Sequence, residues 1–570
     1  MSSPVGATTG SGPATQAGEA PPVRALYGSE TGNAELVARD LVTAARGRGV
    51  QIRLSTLDDV SPDELVGEGC VLVVTSTTGE GDLPYNAERF WAALSADSAP
   101  RLDGVVFSVL GLGDTGYFDF CQAAEVVDSR LAELGARRLL ELRRCDVDYE
   151  DDAARWAGEI LDAVAGRSPA AAGTPSEPAA PVPADSVPAV SGATGAAGAA
   201  APGWSRQRPY RATVLSNRPL TGKGSIKEVR HLELALDERD LDYRPGDSLG
   251  ILPSNDPVLV GALLAHLGEP GERDVDGRSL HDALTTDHEI SRPSRELVEE
   301  VGRRTEDPDL VRLLAGEDRH ALHEFLWARD ILDLLRLATR PPLTAPELLG
   351  LLRPLAHRSY SISSSPLVAP GRVDLAVATL RYRAAGRDRG GVCSTHLADR
   401  LAEGDTAAVF LVRNEVFRPP ADDADMIMVG PGTGVAPFRA FLHERRARGA
   451  RGRNWLFFGG RHRRCDLLYG DELAAMTDDG LLTELDLAFS RDEAEKVYVQ
   501  TRMRQRGEQL FEWLARDARL YVCGDAVNMA GDVDRALHEI VAEHGGMSPD
   551  AAADWVDGLR RDRRYVRDVY

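Results

Sequence analysis

Short apolar runs alternate with longer amphipathic stretches at both ends of this chain, and the middle has a different texture. Residues 23–27, 71–76 and 105–110 are short apolar runs of the length a buried parallel strand needs. Between them, 34–48 and 86–95 read as helices. This alternation predicts a doubly wound α/β domain ending near Val164. It returns from Asp425 onward, where 426–429, 454–458 and 520–522 are predicted strands of a second α/β domain of nucleotide-binding type. In the middle, 210–215, 228–234, 358–363 and 373–382 read as strands, and 243–252 holds a Pro-Gly-Asp turn. Residues 256–352 are mostly helical, which predicts a β-rich domain interrupted by a helical insert.

Composition adds the boundaries. Residues 166–203 are almost entirely Ala, Pro, Gly, Ser, Thr and Val, which cannot bury a core and predicts a linker. As a flexible coil it would span on the order of 35 Å. Residues 1–21 read as a disordered tail. The expected layout is therefore a tail at 1–21, a first domain at 22–165 and a linker at 166–203. A middle domain at 204–420 follows, with its insert at about 255–350, and a last domain at 421–570.

The formal net charge of −23 makes nucleic acid an unsuitable partner. Only Lys223, Lys227 and Lys496 are lysines. The cysteines Cys70, Cys121, Cys145, Cys393, Cys465 and Cys523 form no Cys-x-x-Cys pair, so no metal site is expected and a reducing compartment, the cytoplasm, fits. No segment approaches 18 consecutive apolar residues, and no membrane anchor is expected.

Three loops after predicted strands carry the first candidate chemistry. Tyr27-Gly28-Ser29-Glu30-Thr31-Gly32-Asn33-Ala34 joins the first strand to the first helix, where free N–H groups and the helix dipole favour an anion. Ser76-Thr77-Thr78-Gly79 and Gly111-Leu112-Gly113-Asp114-Thr115-Gly116-Tyr117 follow two further strands, so all three gather at the carboxyl edge of one sheet. A single such loop is commonly just a helix cap, whereas three in register with an aromatic residue point to a ligand. Residues 23–165 hold 13 arginines against 26 carboxylates. The plain reading is a solvated acidic face, and the sharper one is a rim that steers a basic partner.

Two more constellations follow. In Arg358-Ser359-Tyr360-Ser361, Arg358 can fork onto a pyrophosphate and Tyr360, on the same strand face, can stack on a ring. Gly390-Gly391-Val392-Cys393-Ser394 precedes a predicted helix at 395–401 and offers a second anion cradle, with Tyr382 on the strand between. Strand 426–429 runs into Gly430-Pro431-Gly432-Thr433-Gly434, a turn that lets backbone approach a pyrophosphate. Ser490-Arg491, followed by Lys496, Tyr498 and Gln500, supplies the cations a 2′-phosphate needs and favours NADPH over NADH. Cys523 before Gly524-Asp525 is, taken alone, a small hydrophobe in a strand.

The three early loops resemble a flavodoxin, and Arg-x-Tyr-Ser with the Gly-Gly-Val-Cys-Ser turn resembles the ferredoxin-reductase family. Taken in this order with the helical insert, the chain resembles the diflavin reductases over residues 23–570 apart from the linker. Within that family, 112–117, 131–135, 496–500 and the Arg-Arg-Tyr-x-Arg-Asp-Val-Tyr terminus are most similar to flavoprotein subunits of assimilatory sulfite reductase. The resemblance implies a flavodoxin-like FMN domain, an FAD-binding antiparallel β-barrel and an NADP-binding α/β domain. For FMN it implies Ser29 to Ala34, Ser76 to Gly79, and Leu112 to Cys121, including Phe118, Asp119 and Phe120, with Tyr117 stacked on the ring. Some relatives have an aromatic residue where Thr78 stands. For FAD it implies Arg358 to Ser361, Tyr382, Gly391 to Ser394 and a covering Tyr570. For NADPH it implies Gly432 to Gly434, Ser490, Arg491, Lys496, Val497, Tyr498, Val499, Gln500 and Asp532. Ser361, Cys523, Asp525 and Asp568 are implied around the nicotinamide. Electrons are then expected to pass from NADPH through FAD and FMN to a haem and iron–sulfur partner, the sirohaem subunit of sulfite reductase. Two other readings stay open: a reductase serving a haem monooxygenase or other redox acceptor, and a carrier module without NADPH oxidation.

Overall fold

The computed structural model describes residues 23–165 and 204–570, apart from 31, 80, 116–118, 148, 237–241, 317 and 339. The expected tail and linker, and the site residues Thr31, Gly116, Tyr117 and Phe118, lie outside the described residues.

The first lobe is built on parallel strands β1 (Val23–Gly28), β2 (Ile52–Thr56), β3 (Cys70–Ser76) and β4 (Val106–Leu112) in the order β2-β1-β3-β4. The short strands β5 (Arg137–Arg138) and β6 (Arg143–Cys145) both pair with β4. Strand β3 is apolar from Cys70 to Val74, where helices cover both faces. Cys70, Leu72 and Val74 enter one core, and Val71 and Val73 the other. Helix α1 (Asn33–Gly47) buries Ala34, Val37, Ala38, Leu41, Val42 and Ala45, the spacing of a single apolar stripe.

The second lobe is a six-stranded antiparallel sheet of β7 (Tyr210–Pro219), β8 (Glu228–Ala235), β9 (Ser248–Leu252), β10 (Arg358–Ser361), β11 (Arg372–Thr379) and β12 (Thr406–Val412). Its order is β10-β9-β12-β7-β8-β11. A bridge between Ile362 and Leu375 joins the two edge strands and closes a barrel. The expected strand 373–382 is in fact two pieces: β11 stops at Thr379, and a hairpin of Arg381–Ala384 and Arg387–Gly390 follows. The insert contributes short helices, including Pro257–Leu267, Arg295–Arg304 and Pro308–Ala315, around a leucine-rich core of its own. Asp256, Ser294 and Asp307 cap these helices with their side chains.

The third lobe is a parallel sheet of β13 (Met426–Val429), β14 (Asn454–Gly460), β15 (Glu484–Phe489), β16 (Arg519–Gly524) and β17 (Tyr565–Val569), ordered β15-β14-β13-β16-β17. The pattern of apolar residues did not mark β17 as a strand. The second and third lobes are locked together by buried charge. Arg439 donates to the Ser363 carbonyl at 2.8 Å, to Asp374 at 3.0 Å and to Glu472 at 2.9 Å, and His231 meets the Tyr469 hydroxyl at 2.9 Å. Among the described residues no helix is long and apolar enough to cross a membrane.

Candidate functional site

The carboxyl ends of β1, β3 and β4 open into one large cavity of about 2530 Å³, whose lining also includes Ser359 of the barrel and Tyr570 of the third lobe. This exceeds the volume usual for a single small-molecule pocket, about 300–1,000 Å³. After β1, buried Ser29 accepts from the N–H groups of Gly32 and Ala34 at 2.9 and 3.2 Å and donates its own N–H to Asn86 at 2.8 Å. Gly32 has φ 94°, and Asn33 opens α1. In the second loop, the Thr77 N–H bonds the Leu112 carbonyl at 3.0 Å, Thr78 bridges to Asp82, and Glu30 N–H reaches Ser76 Oγ at 3.4 Å. Gly79 follows at φ 54°.

In the third loop, Thr115 bonds Asp146 through its N–H at 3.0 Å and its hydroxyl at 2.7 Å. A Cβ at Gly113 would fall 2.9 Å from the Cys121 backbone nitrogen. Asp114, Asp119 and Phe120 line the rim. Burial pushes the Cys121 thiol up to about 12, so it is a packing group. Glycine-lined walls with hydroxyl and amide donors fit a flavin phosphate and ring.

On the barrel, Ser359 faces the cavity, while Tyr360 packs on the barrel core that holds Cys393. The Arg358 guanidinium donates to the Ala356 and His357 carbonyls at 3.1 and 3.0 Å and lies 3.4 Å from Glu289. The cradle differs from expectation. Gly391 caps a helix at Val392–Asp399, so Val392, Cys393 and Ser394 are its first turn and point their own N–H groups outward. Ser394 Oγ accepts the Leu380 N–H at 3.2 Å. Tyr382 lies on the hairpin and is 39% exposed.

On the third lobe, the turn after β13 lies directly on β16. A Cβ at Gly434 would sit 2.1 Å from the Cys523 carbonyl, and Gly432 has φ 58°. Thr433 Oγ1 meets the Tyr570 hydroxyl at 3.0 Å. The Tyr570 N–H donates to Gly524 O at 3.0 Å, which pins the residue. Ser361 Oγ lies 3.1 Å from Asp568 Oδ2, and Cys523 Sγ lies 3.9 Å from the same oxygen. Burial pushes Asp568 up to about 6, against hydrogen bonds from Ser361 and Cys523. Burial and the neighbouring Asp568 push the Cys523 thiol up, so it is neutral.

Three expected residues do not join these groups. Asp525 is exposed and accepts the Asn528 N–H at 2.6 Å, the role of a cap. Val497 and Val499 are buried in the lobe core, because alternation turns them away from the exposed Lys496 and Tyr498. Ser490 and Arg491 hydrogen-bond through their backbone N–H groups to Gly460 and Arg461 at 3.0 and 2.9 Å. This brings the run Arg461-His462-Arg463-Arg464 against them, a basic cluster directly after β14 that the motif reading passed over. Gln500 bonds Asp532 at 3.0 Å. Contacts between lobes were also missed: Arg353 donates to the Thr115 carbonyl at 2.6 Å, and His323 lies 3.1 Å from Asp119.

The flavodoxin family model matches residues 26–156, the FAD binding domain model matches 202–293 and 277–396, and the oxidoreductase NAD-binding domain model matches 428–535. These three lobes around a shared cavity are the build of a diflavin reductase. The sulfite reductase (NADPH) flavoprotein alpha-component of Bacillus subtilis (strain 168) is 41% identical over 555 residues, covering 96% of this chain and 89% of that protein. Those of Pectobacterium atrosepticum (41%, covering 96% and 88%) and Zymomonas mobilis (40%, covering 96% and 88%) are similar. The chain belongs to the family of sulfite reductase flavoprotein alpha-components.

Proposed function

We propose that this protein oxidises NADPH and delivers the electrons, through FAD and FMN, to the sirohaem and iron–sulfur subunit of an assimilatory sulfite reductase in the cytoplasm. The observation that carries this is the meeting of Ser361 from the barrel with Cys523 and Asp568 from the third lobe, at the turn where a nicotinamide would enter. The flavins, when bound, convert a hydride into electrons passed on singly. Ser361 orients the Asp568 carboxylate, whose negative charge would favour a nicotinamide ring bound beside it as that ring gained positive charge. Cys523, kept neutral, fills the wall and excludes water. Tyr570, held against Thr433 and Gly524, would cover the ring of a bound flavin and would have to yield to a nicotinamide. Arg491 and Lys496, with Arg463 and Arg464, receive the 2′-phosphate.

We take 22–165, 204–420 and 421–570 as the functional units. Ser29 to Ala34, Ser76 to Gly79 and Leu112 to Cys121 hold FMN, and Arg358 to Ser361 with Gly391 to Ser394 hold FAD. Anaerobic NADPH titration of the purified protein, with released flavins quantified, tests the reading. FAD and FMN in equal amounts, both reduced and then reoxidised by a sirohaem sulfite reductase subunit, are expected. FMN that stays oxidised would overturn the relay.

A further inference from the structure

Strand β17 has two working faces. Val566 enters the core beside Cys523, and Asp568 meets Ser361 and Cys523. Tyr565 and Arg567, alternating with them, turn to the other side, Tyr565 into the second core of the lobe and Arg567 toward the flavodoxin lobe. There the Arg567 guanidinium pairs with the Glu30 carboxylate, a residue of the first phosphate loop. Both side chains are almost out of solvent, at 11% and 9% exposed. The other Glu30 oxygen accepts the Tyr85 N–H at 3.2 Å. Two guanidinium groups lie over the Tyr85 ring, Arg567 at 4.7 Å and Arg560 at 5.0 Å from its centroid. Arg560 is anchored by Asp557 at 2.6 Å and by Asp534, which also takes the Tyr565 hydroxyl at 3.0 Å. Pairs nearer the rim, Arg563 with Glu35 at 2.8 Å and Arg89 with Asp557 at 3.2 Å, are more exposed.

The two kinds of contact have different consequences. Rim pairs are screened by salt and steer approach. A desolvated pair tolerates one register only, because any other placement leaves a buried charge without its partner. We propose that Arg567, inserted between the Glu30 carboxylate and the Tyr85 ring, is the positioning residue that seats the flavodoxin lobe on the reductase for transfer between the flavins. Seat and nicotinamide pocket thus hang on adjacent residues of one strand. The seat as geometry stands on these contacts, while its role in transfer rests on the function proposed above.

The test uses full-length protein with both flavins bound, comparing Arg567→Ala, Arg567→Lys and, acting from the opposite lobe, Tyr85→Leu. Small-angle X-ray scattering is expected to show a larger radius of gyration for Arg567→Ala, and hydrogen exchange at 28–36 to rise. In stopped-flow, NADPH reduces FAD at the wild-type rate while FMN reduction slows roughly tenfold or more, as loss of a buried pair implies. Lysine restores part of the rate because it keeps the charge without the planar fork. Tyr85→Leu gives the same split at normal FMN content and decides the matter if Arg567→Ala does not fold. Unchanged scattering and unchanged FMN reduction would overturn the seat, and so would FAD and FMN reduction falling together. If NADPH reduces neither flavin in the unaltered protein, the functional reading fails, and the scattering difference still judges the seat.

Discussion

The two parallel sheets of this molecule use the same glycine turn and reach different ends. In the first, β1 lies between β2 and β3, so the order reverses between β1 and β3, and the loops at Ser29 and Thr77 open side by side. In the third lobe, β14 and β15 both lie on one side of β13 before β16 starts the other, and the crevice opens between β13 and β16. There Gly434 rests on the Cys523 backbone. The first site ties its loop with its own side chains, Ser29 and Asn86, and shares its mouth with another lobe through ionic contacts. The second is closed by buried groups from the barrel and from β17. A mouth made of ion pairs can part without exposing apolar core, whereas one made of buried packing cannot. On the function proposed above, this difference suits the flavodoxin lobe to a mobile task and the pocket at Ser361, Cys523 and Asp568 to a fixed one.

The most severe break should come at Asp568. Asp568→Asn is expected to slow FAD reduction by about 10²-fold, the usual scale for losing one aligned electrostatic group. Its effect on stability has the opposite sign. Folding raises this carboxyl from 3.8 to about 6, so the folded state binds the proton more tightly, and stability falls as pH rises through that window. Asparagine removes the penalty and should stabilise the protein at pH 7 by about 2–3 kcal/mol, an advantage that vanishes below pH 4. Denaturant titrations at the two pH values check this, and a less stable variant at pH 7 would break the picture of a strained, fixed pocket.

Gly434→Ala comes next. Its Cβ meets backbone that cannot swing aside, so a loss of about 1–3 kcal/mol and a fall of tenfold or more in NADPH oxidation are expected at unchanged FMN content. Arg491→Ala should weaken NADPH by roughly tenfold and leave NADH nearly untouched, since one charge-assisted bond is worth about 1.5–3 kcal/mol. Equal losses for both nucleotides would remove the 2′-phosphate assignment. The smallest effect belongs to Gly32→Ala. Its Cβ would fall 2.7 Å from a Val416 methyl, which can shift, so the main penalty is left-handed strain of about 1–2 kcal/mol. FMN affinity should drop while FAD reduction persists. A loss of nicotinamide chemistry in this variant would mean that the two sites are not separable.

Much of this was legible in the chain itself, because glycine turns after apolar strands are local signals. Gly32, Gly113, Gly432 and Gly434 each sit where a side chain would collide or φ is positive. Some residues of the expected motifs stand apart from the groups that meet. Val497 and Val499 lie inside a recognisable stretch, yet strand-like alternation sends them to the core. Asp525 follows Cys523-Gly524 and is spent on capping the next turn. What could not be read are pairings set by how the lobes meet. Nothing near Glu30 announces Arg567, more than five hundred residues away, and nothing near Thr115 announces Arg353.

The burial of every cysteine has a practical consequence. All six cysteines are enclosed, and burial pushes the thiols of Cys121, Cys145, Cys393 and Cys523 above their ordinary range. A maleimide reagent finds neither access nor thiolate at these positions. Cysteines introduced at exposed Ala44 and Ala515 would then be the reactive pair, and dyes or spin labels placed there would give a distance ruler across the two lobes without removing a single native residue of the core.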